Sequence, residues 1–137
     1  MITRVPEPEL SEDERRALER GIAEFNAGYF FECHDTLEDL WTGLRGQSRD
    51  FFQGLIQVSV ALYHLTGGNL AGAGSMLRRA LKRFEVYPGI YYGFDLAAHR
   101  RELQTLLEQI EGGGAADPRL ERLPKWRFGD PEDARRP

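Results

Sequence analysis

The residues best suited to chemistry lie in one short segment, Phe31 to Trp41, which carries a histidine and several carboxylates. At about 100° per residue, His34 falls inside the apolar stripe of a helix, and Glu38 falls one turn further along the same face. An imidazole and a carboxylate at this spacing are neighbours on a helix surface. The segment therefore predicts a His34–Glu38 pair that faces at least partly inward.

A second predicted helix offers partners to this pair. Gln53, Gln57 and His64 share one face of an otherwise apolar segment by the same arithmetic. Burying an amide or imidazole without a partner costs roughly 2–7 kcal/mol, and a marginally stable chain cannot carry several such penalties. We therefore predict a buried polar cluster of His34, Glu38, Gln53, Gln57 and His64 between the two helices.

Three interpretations of this cluster are open on the sequence alone. The first is a hydrogen-bonded network that fixes helix packing, and the second is a small-ligand pocket walled by Trp41, Tyr63 and Tyr29. The third is a metal or acid/base site, which would make the protein a hydrolase that uses Glu32, His34, Asp35, Glu38 and His64. No His-Glu-x-x-His and no paired Glu-x-x-His motif occurs, so the sequence assigns no metal and identifies no cofactor.

Two further side chains have reactive groups. Cys33 is the only cysteine, and its place on the apolar stripe predicts a buried packing residue rather than a nucleophile. His99 lies among charged residues on the last predicted helix, which indicates a surface histidine.

Glycines, prolines and capping residues divide the chain into five predicted helices. Ser11 and Glu14 form a capping box for the first helix, and the predicted caps of the third, fourth and fifth helices are Ser48, Asn69 and Asp95. The helices are expected over about 12–25, 29–44, 49–66, 69–86 and 96–111, with an ordered aromatic loop at 90–94.

These elements predict an all-α fold, a compact bundle of about five helices built on two helical hairpins. Each half reads as helix, glycine turn, helix, in the style of a helical repeat. We expect an N-terminal arm over 1–10, a helical domain over 11–112 and an extended C-terminal tail over 113–137. The tail should pack on the domain through its apolar residues, and its last residues should be loose. Those apolar residues are Leu120, Leu123, Trp126 and Phe128.

Composition narrows the class of protein. The chain has 137 residues, 41% of them hydrophobic, which suits one folded domain. A net charge of −4 argues against nucleic acid as a partner, and the longest apolar stretch is too short and too polar to span a membrane. A single cysteine and a polar N-terminus favour the cytoplasm.

Several of these residues together resemble the domain of unknown function 309 family. The resemblance rests on Phe31 to Asp35 with Glu38 and Trp41, on Gly54 to Gln57, and on later residues spaced as in the family, and it covers roughly Ala17 to Leu107. The later residues are Ala61, His64, Gly68, Asn69, Ala71 to Ala73, Tyr87, Pro88 and Gly93 to Asp95. The family usually has Glu where this chain has Asp35. The resemblance implies a small bacterial or archaeal helical domain, and it implies no activity, cofactor or partner.

The functional prediction is a non-catalytic cytoplasmic protein that binds a small molecule or a protein partner near His34 and His64. The two alternatives are the hydrolase and a purely structural interaction module of helical hairpins. The sequence does not specify an oligomeric state.

Overall fold

The computed structural model describes residues 5–113 and 122–129, and within these ranges the chain folds into five helices. The helices pack against each other in chain order, α1 on α2, α2 on α3, α3 on α4 and α4 on α5. The predicted all-α bundle is confirmed. Its helices are α1 Glu12–Asn26, α2 Phe30–Thr42, α3 Ser48–Thr66, α4 Leu70–Phe84 and α5 Leu96–Glu111.

Helix α1 begins where its sequence satisfies free backbone amides. The hydroxyl of Ser11 accepts a hydrogen bond from the N–H of Glu14 at 3.1 Å, and the Glu14 carboxylate accepts from the N–H of Ser11 at 2.9 Å. This is the predicted capping box. The predicted cap at Ser48 is wrong, because Ser48 is already the first residue of α3 and the preceding Gln47 makes no side-chain cap.

The two helical hairpins turn at glycines. Gly28 joins α1 to α2 with φ 87°, and Gly68 joins α3 to α4 with φ 82°. Residues with a Cβ rarely adopt this left-handed conformation, so glycine permits the tight turn. Helices α2 and α3, which carry the predicted site residues, lie between these two turns in the chain and pack against each other.

Helix α3 is the centre of the core. Phe51, Phe52, Leu55 and Leu62 are completely buried on its several faces, as expected for a helix that is apolar nearly all round. Gly54 lets α4 approach closely, since a Cβ at this position would lie 2.4 Å from the Phe84 ring.

The predicted loop at 90–94 contains a short β-hairpin. Strands β1 Ile90–Tyr91 and β2 Phe94–Asp95 pair antiparallel, and Asp95 then caps α5 by accepting from the N–H of Ala98 at 3.0 Å. The two turn residues between the strands, Tyr92 and Gly93, have φ 52° and 75°. Positive φ at both positions is the requirement of a two-residue hairpin turn of type I′.

The described part of the C-terminal segment, residues 122–129, ties α1 to α5. Trp126 stacks on Phe25 with ring centroids 3.7 Å apart and planes within 1°. The Asn26 side chain donates to the carbonyl of Trp126 and accepts from its N–H, both at 2.7 Å. Leu123 is also buried. Leu120, which we expected to pack on the domain, lies outside the described part of the chain. The final residues, which we expected to be loose, also lie outside it.

The prediction of a surface histidine at position 99 is wrong. His99 is 2% exposed, and its Nε2 accepts a hydrogen bond from the indole N–H of Trp126 at 3.2 Å. Burial lowers the pKa of this imidazole from 6.5 to about 3. Arg100 and Arg101, which follow His99 in sequence, lie on other faces of α5, while His99 contacts Trp126 of the C-terminal segment.

None of the helices in the described ranges combines the length and apolar character that a bilayer span requires.

Candidate functional site

Helix α2 places His34 between two carboxylates. Its Nε2 lies 2.7 Å from a carboxylate oxygen of Glu38, one turn further on, and its Nδ1 lies 3.3 Å from an oxygen of Asp35. The His34 side chain is 27% exposed, whereas those of Glu38 and Asp35 are 53% and 62% exposed. The i, i+4 pair predicted from the sequence is therefore present, at the edge of the bundle rather than in its interior.

A small groove between α2 and α3 brings His34 and His64 together. Its volume is about 190 Å³, and its other lining residues are Phe30, Phe31, Val60 and Tyr63. On each helix the lining positions are spaced by one, three or four residues, which places them on one face. The two histidines thus lie on neighbouring helices and share a groove, but the walls of that groove are largely apolar.

Aromatic rings form the mouth of this groove. The ring centroids of Phe31 and Tyr63 are 5.6 Å apart, that of Phe31 is 6.0 Å from His34, and that of Tyr63 is 6.0 Å from His64. Phe31 is 50% exposed and Tyr63 is 49% exposed. Tyr63 was predicted from the sequence to line a pocket, whereas Phe31 was not. Phe31 precedes His34 by three residues, so the two residues share one side of the helix.

His64 is held from the start of α4. Its Nδ1 lies 3.4 Å from the side-chain nitrogen of Asn69, whose oxygen accepts from the N–H of Gly72 at 2.9 Å. A Cβ at Gly72 would lie 2.6 Å from the Asn69 amide and 3.0 Å from the His64 ring. Asn69 therefore caps α4, as predicted, and also orients His64, which the sequence did not indicate.

The two glutamines do not join the histidines. Gln57 is buried, and its side-chain oxygen accepts from Nε of Arg83 at 3.2 Å, while Arg83 also contacts Asp50 at 3.0 Å. Gln57 thus belongs to the contact between α3 and α4. Gln53 is partly exposed and makes no side-chain hydrogen bond within the described ranges.

Asp35 and Glu38 contact His34 but do not line the groove, and three further predicted site residues also lie outside its lining. Trp41 is covered by Arg49, whose guanidinium carbon lies 3.7 Å from the indole centroid. Tyr29 is 61% exposed, and Glu32 is also exposed. The burial that we predicted for the polar cluster is thus found for Gln57 alone. The helical wheel assigns faces, but it does not show how far a neighbouring helix covers each face.

Cys33 is a packing residue, as predicted. It is completely buried, and burial, followed by the charge of Glu24, raises the pKa of its thiol to about 12. Because the thiolate is the nucleophile, this burial disfavours a nucleophilic role for Cys33.

Within residues 5–113 and 122–129, no group of three or more His, Cys, Asp and Glu side chains is arranged to hold a metal ion.

The region that carries this site matches the family model described as the domain of unknown function DUF309, over residues 18–76. Residues 18–76 belong to this family. The match runs from α1 into α4, and it includes every residue that the sequence analysis named for the polar cluster and its surroundings. The matched region therefore contains α2 and α3 in full, part of α1 and of α4, and the groove between α2 and α3.

Two relatives match a larger part of the chain than the family model does. The uncharacterized protein YpuF of Bacillus subtilis strain 168 is 32% identical over 94 residues, which are 66% of this chain and 54% of YpuF. An uncharacterized protein of Aquifex aeolicus strain VF5 is 25% identical over 100 residues, 72% of this chain and 29% of that protein. The matched region is thus about half of the first relative and less than a third of the second.

Proposed function

We propose that this DUF309 domain is a non-catalytic binding protein whose α2–α3 groove receives one apolar side chain of a partner polypeptide. The observation that carries this proposal is the groove itself, with half-exposed Phe31 and Tyr63 at its mouth and His34 and His64 in its walls. Contiguous exposed aromatic surface of this kind is typical of protein interaction sites.

The size of the groove favours a side chain over a metabolite. Pockets for small molecules usually measure about 300–1,000 Å³, whereas this groove measures about 190 Å³. A single leucine, methionine or aromatic side chain is an occupant of suitable size. Helical partners present such anchors on one face and bury them in apolar grooves.

The charge beside the groove selects a basic partner. Helix α2 has no lysine or arginine, and it carries four exposed carboxylates, those of Glu32, Asp35, Glu38 and Asp39. Two of them, Asp35 and Glu38, contact His34 in the groove wall. Carboxylates around an apolar anchor site attract complementary charge and disfavour acidic sequences. We therefore infer that the anchor side chain is flanked by lysine or arginine in the partner.

The hydrolase alternative receives less support from the site. Both ring nitrogens of His34 lie within 3.3 Å of carboxylate oxygens. A general base needs a ring nitrogen within hydrogen-bond reach of the substrate or its water, and here both nitrogens face Asp35 and Glu38. As part of the proposal we place the protein in the cytoplasm, where an unpaired thiol such as Cys33 is expected.

Peptide selection tests this proposal. A library of random peptides displayed on phage is panned on the immobilised protein, and the affinities of enriched synthetic peptides are measured by calorimetry. We expect enriched sequences that share a large apolar residue flanked by Lys or Arg. Val60→Phe, which fills the groove, and Tyr63→Ser should each weaken binding about tenfold or more.

Ile90→Ser is the matched control, because Ile90 is 64% exposed and does not line the groove. This variant should bind the peptides as the wild type does. Enriched peptides without a basic or apolar signature, or peptides whose affinity is unchanged by Val60→Phe, would refute the proposed role of the groove.

A further inference from the structure

A second and larger cavity lies on another face of the molecule, between α1, the β-hairpin turn and the C-terminal segment. Its volume is about 420 Å³, which is within the usual range for small-molecule sites. Leu18, Ile22 and Phe128 supply apolar surface, and Arg15, Glu19 and Tyr92 supply polar groups. Cavities of this make-up, largely apolar with a few polar groups, are the usual form of a ligand site.

The cavity has two charged lining residues, Arg15 and Glu19. Arg15 and Glu19 lie one turn apart on α1, and neither side chain makes a hydrogen bond or ion pair within the part of the chain that the structure describes. The adjacent Arg16, which does not line the cavity, contacts Glu12 at 2.6 Å. Helix α1 therefore offers the cavity one cationic and one anionic group, both available to a ligand.

Tyr92, in the wall opposite α1, has a backbone conformation that is unfavourable for a residue with a large side chain. Tyr92 is the only residue other than glycine with positive φ in the described ranges, at 52°. The first position of this turn type favours Asn, Asp or Gly, and a bulky residue there is an outlier. The Tyr92 N–H donates to the Glu7 carboxylate at 2.6 Å, and Tyr92 is one of the residues that line the cavity. A side chain kept where the backbone disfavours it points to a role for that side chain.

The C-terminal segment completes the site. Phe128 stacks on Phe94 with centroids 4.5 Å apart, and the N–H of Gly129 donates to the carbonyl of Gly93 at 2.8 Å. A Cβ at Gly93 would lie 2.3 Å from the Gly129 carbonyl oxygen. These close contacts fix the Phe128 ring at the edge of the cavity.

We propose that this cavity binds a small zwitterion with an apolar body, of the kind represented by an α-amino acid with a large apolar side chain. Arg15 takes the carboxylate, Glu19 takes the ammonium group, and the body of the ligand packs on Leu18, Ile22 and the rings of Tyr92 and Phe128. The proposal is independent of the α2–α3 groove, which lies on α2 and α3 and is lined by different residues.

The test is a titration of ¹⁵N-labelled protein followed by amide chemical shifts, with L-phenylalanine and L-leucine as probes. We expect saturable shifts in α1 and around Tyr92. Phenethylamine and 3-phenylpropionate, which each lack one charge of phenylalanine, should bind about tenfold more weakly or worse. Arg15→Gln and Glu19→Gln should weaken phenylalanine binding to a similar degree, and Arg16→Gln should not change it.

Tyr92→Asn separates binding from folding. Asparagine suits the turn better than tyrosine, so this variant should retain its melting temperature or gain a higher one, and it should lose affinity for phenylalanine. The proposal is overturned if neither amino acid gives saturable shifts at millimolar concentration, if the shifts map to α2 and α3, or if the singly charged analogues bind equally well.

Discussion

The indole N–H of Trp126 donates a hydrogen bond to Nε2 of His99 across 3.2 Å, and both side chains are almost fully buried. Indole nitrogen is only a donor, so Nε2 of His99 must be the acceptor and the ring hydrogen must be on Nδ1. The Nδ1 atom has no hydrogen-bond partner within the described ranges. The attachment of the C-terminal segment to α5 therefore requires a neutral imidazole.

Stability should fall as the solution becomes acidic, because His99 titrates differently in the folded and unfolded states. Burial lowers its folded pKa from 6.5 to about 3, so between these values the unfolded chain binds one more proton. The folded state then loses about 1.4 kcal/mol of relative stability per pH unit as pH falls from 6.5 towards 3. This contribution should be about 2 kcal/mol between pH 7.5 and pH 5.

Urea unfolding at these two pH values measures the effect. The comparison variant is His99→Gln, which offers the Trp126 N–H an acceptor but cannot titrate in this range. Between pH 7.5 and pH 5, the free energy of unfolding of this variant should change by about 2 kcal/mol less than that of the wild type. Equal pH dependence in both proteins would show that His99 is not buried as described.

Asn26→Ala should destabilise the protein by detaching the C-terminal segment from α1. The variant removes both 2.7 Å hydrogen bonds to the Trp126 backbone and leaves a partly buried N–H and C=O without partners. We expect a loss of about 1–3 kcal/mol in the free energy of unfolding, measured by urea unfolding followed by circular dichroism. Gln104→Ala is the control, because it loses only an exposed hydrogen bond to Glu108. It should change the free energy of unfolding by less than about 0.5 kcal/mol. Similar losses in the two variants would contradict the attachment of the C-terminal segment through Asn26.

Gly54→Ala should overpack the contact between α3 and α4. The new methyl group would lie 2.4 Å from the Phe84 ring, and overpacking a tight core typically costs about 1–3 kcal/mol. Gly43→Ala is the control, since the nearest atom to its Cβ is 3.8 Å away and its φ is −88°. Thermal unfolding should give a lower melting temperature for the first variant and an unchanged or higher one for the second, and the reverse order would contradict the packing of these helices.

His34→Ala should have little effect on stability. The His34 side chain is 27% exposed and its carboxylate partners are more exposed still, and contacts between such exposed polar side chains typically contribute no more than about 1 kcal/mol. The free energy of unfolding, measured with urea, should therefore fall by less than about 1 kcal/mol. The selected peptides should bind more weakly, because the groove loses part of its wall. A loss of several kcal/mol would instead support the buried network that the sequence suggested.

The fold was largely predictable because its determinants are local. The capping box at Ser11, the caps at Asn69 and Asp95 and the turn glycine Gly28 act within a few residues of themselves, so the sequence around each one contains the whole interaction. Ser48 was assigned wrongly because a serine before an apolar run satisfies the same pattern whether it caps the helix or begins it.

The site was predictable only in part because burial depends on distant residues. His99 is covered by Trp126, which is 27 residues away, and Gln57 is satisfied by Arg83, which is 26 residues away. Neither partner can be inferred from the periodicity of one helix. The pairing of His34 with Glu38 was predictable because both residues are on α2.

Binding of an apolar peptide side chain in the α2–α3 groove is measured most directly by an isotope-filtered nuclear Overhauser experiment. The experiment uses the ¹³C-labelled protein and a selected unlabelled peptide. Our account predicts contacts from the apolar anchor of the peptide to the Val60 methyl groups and to the rings of Phe31 and Tyr63. Contacts confined to other surfaces, with none to these three residues, would contradict it.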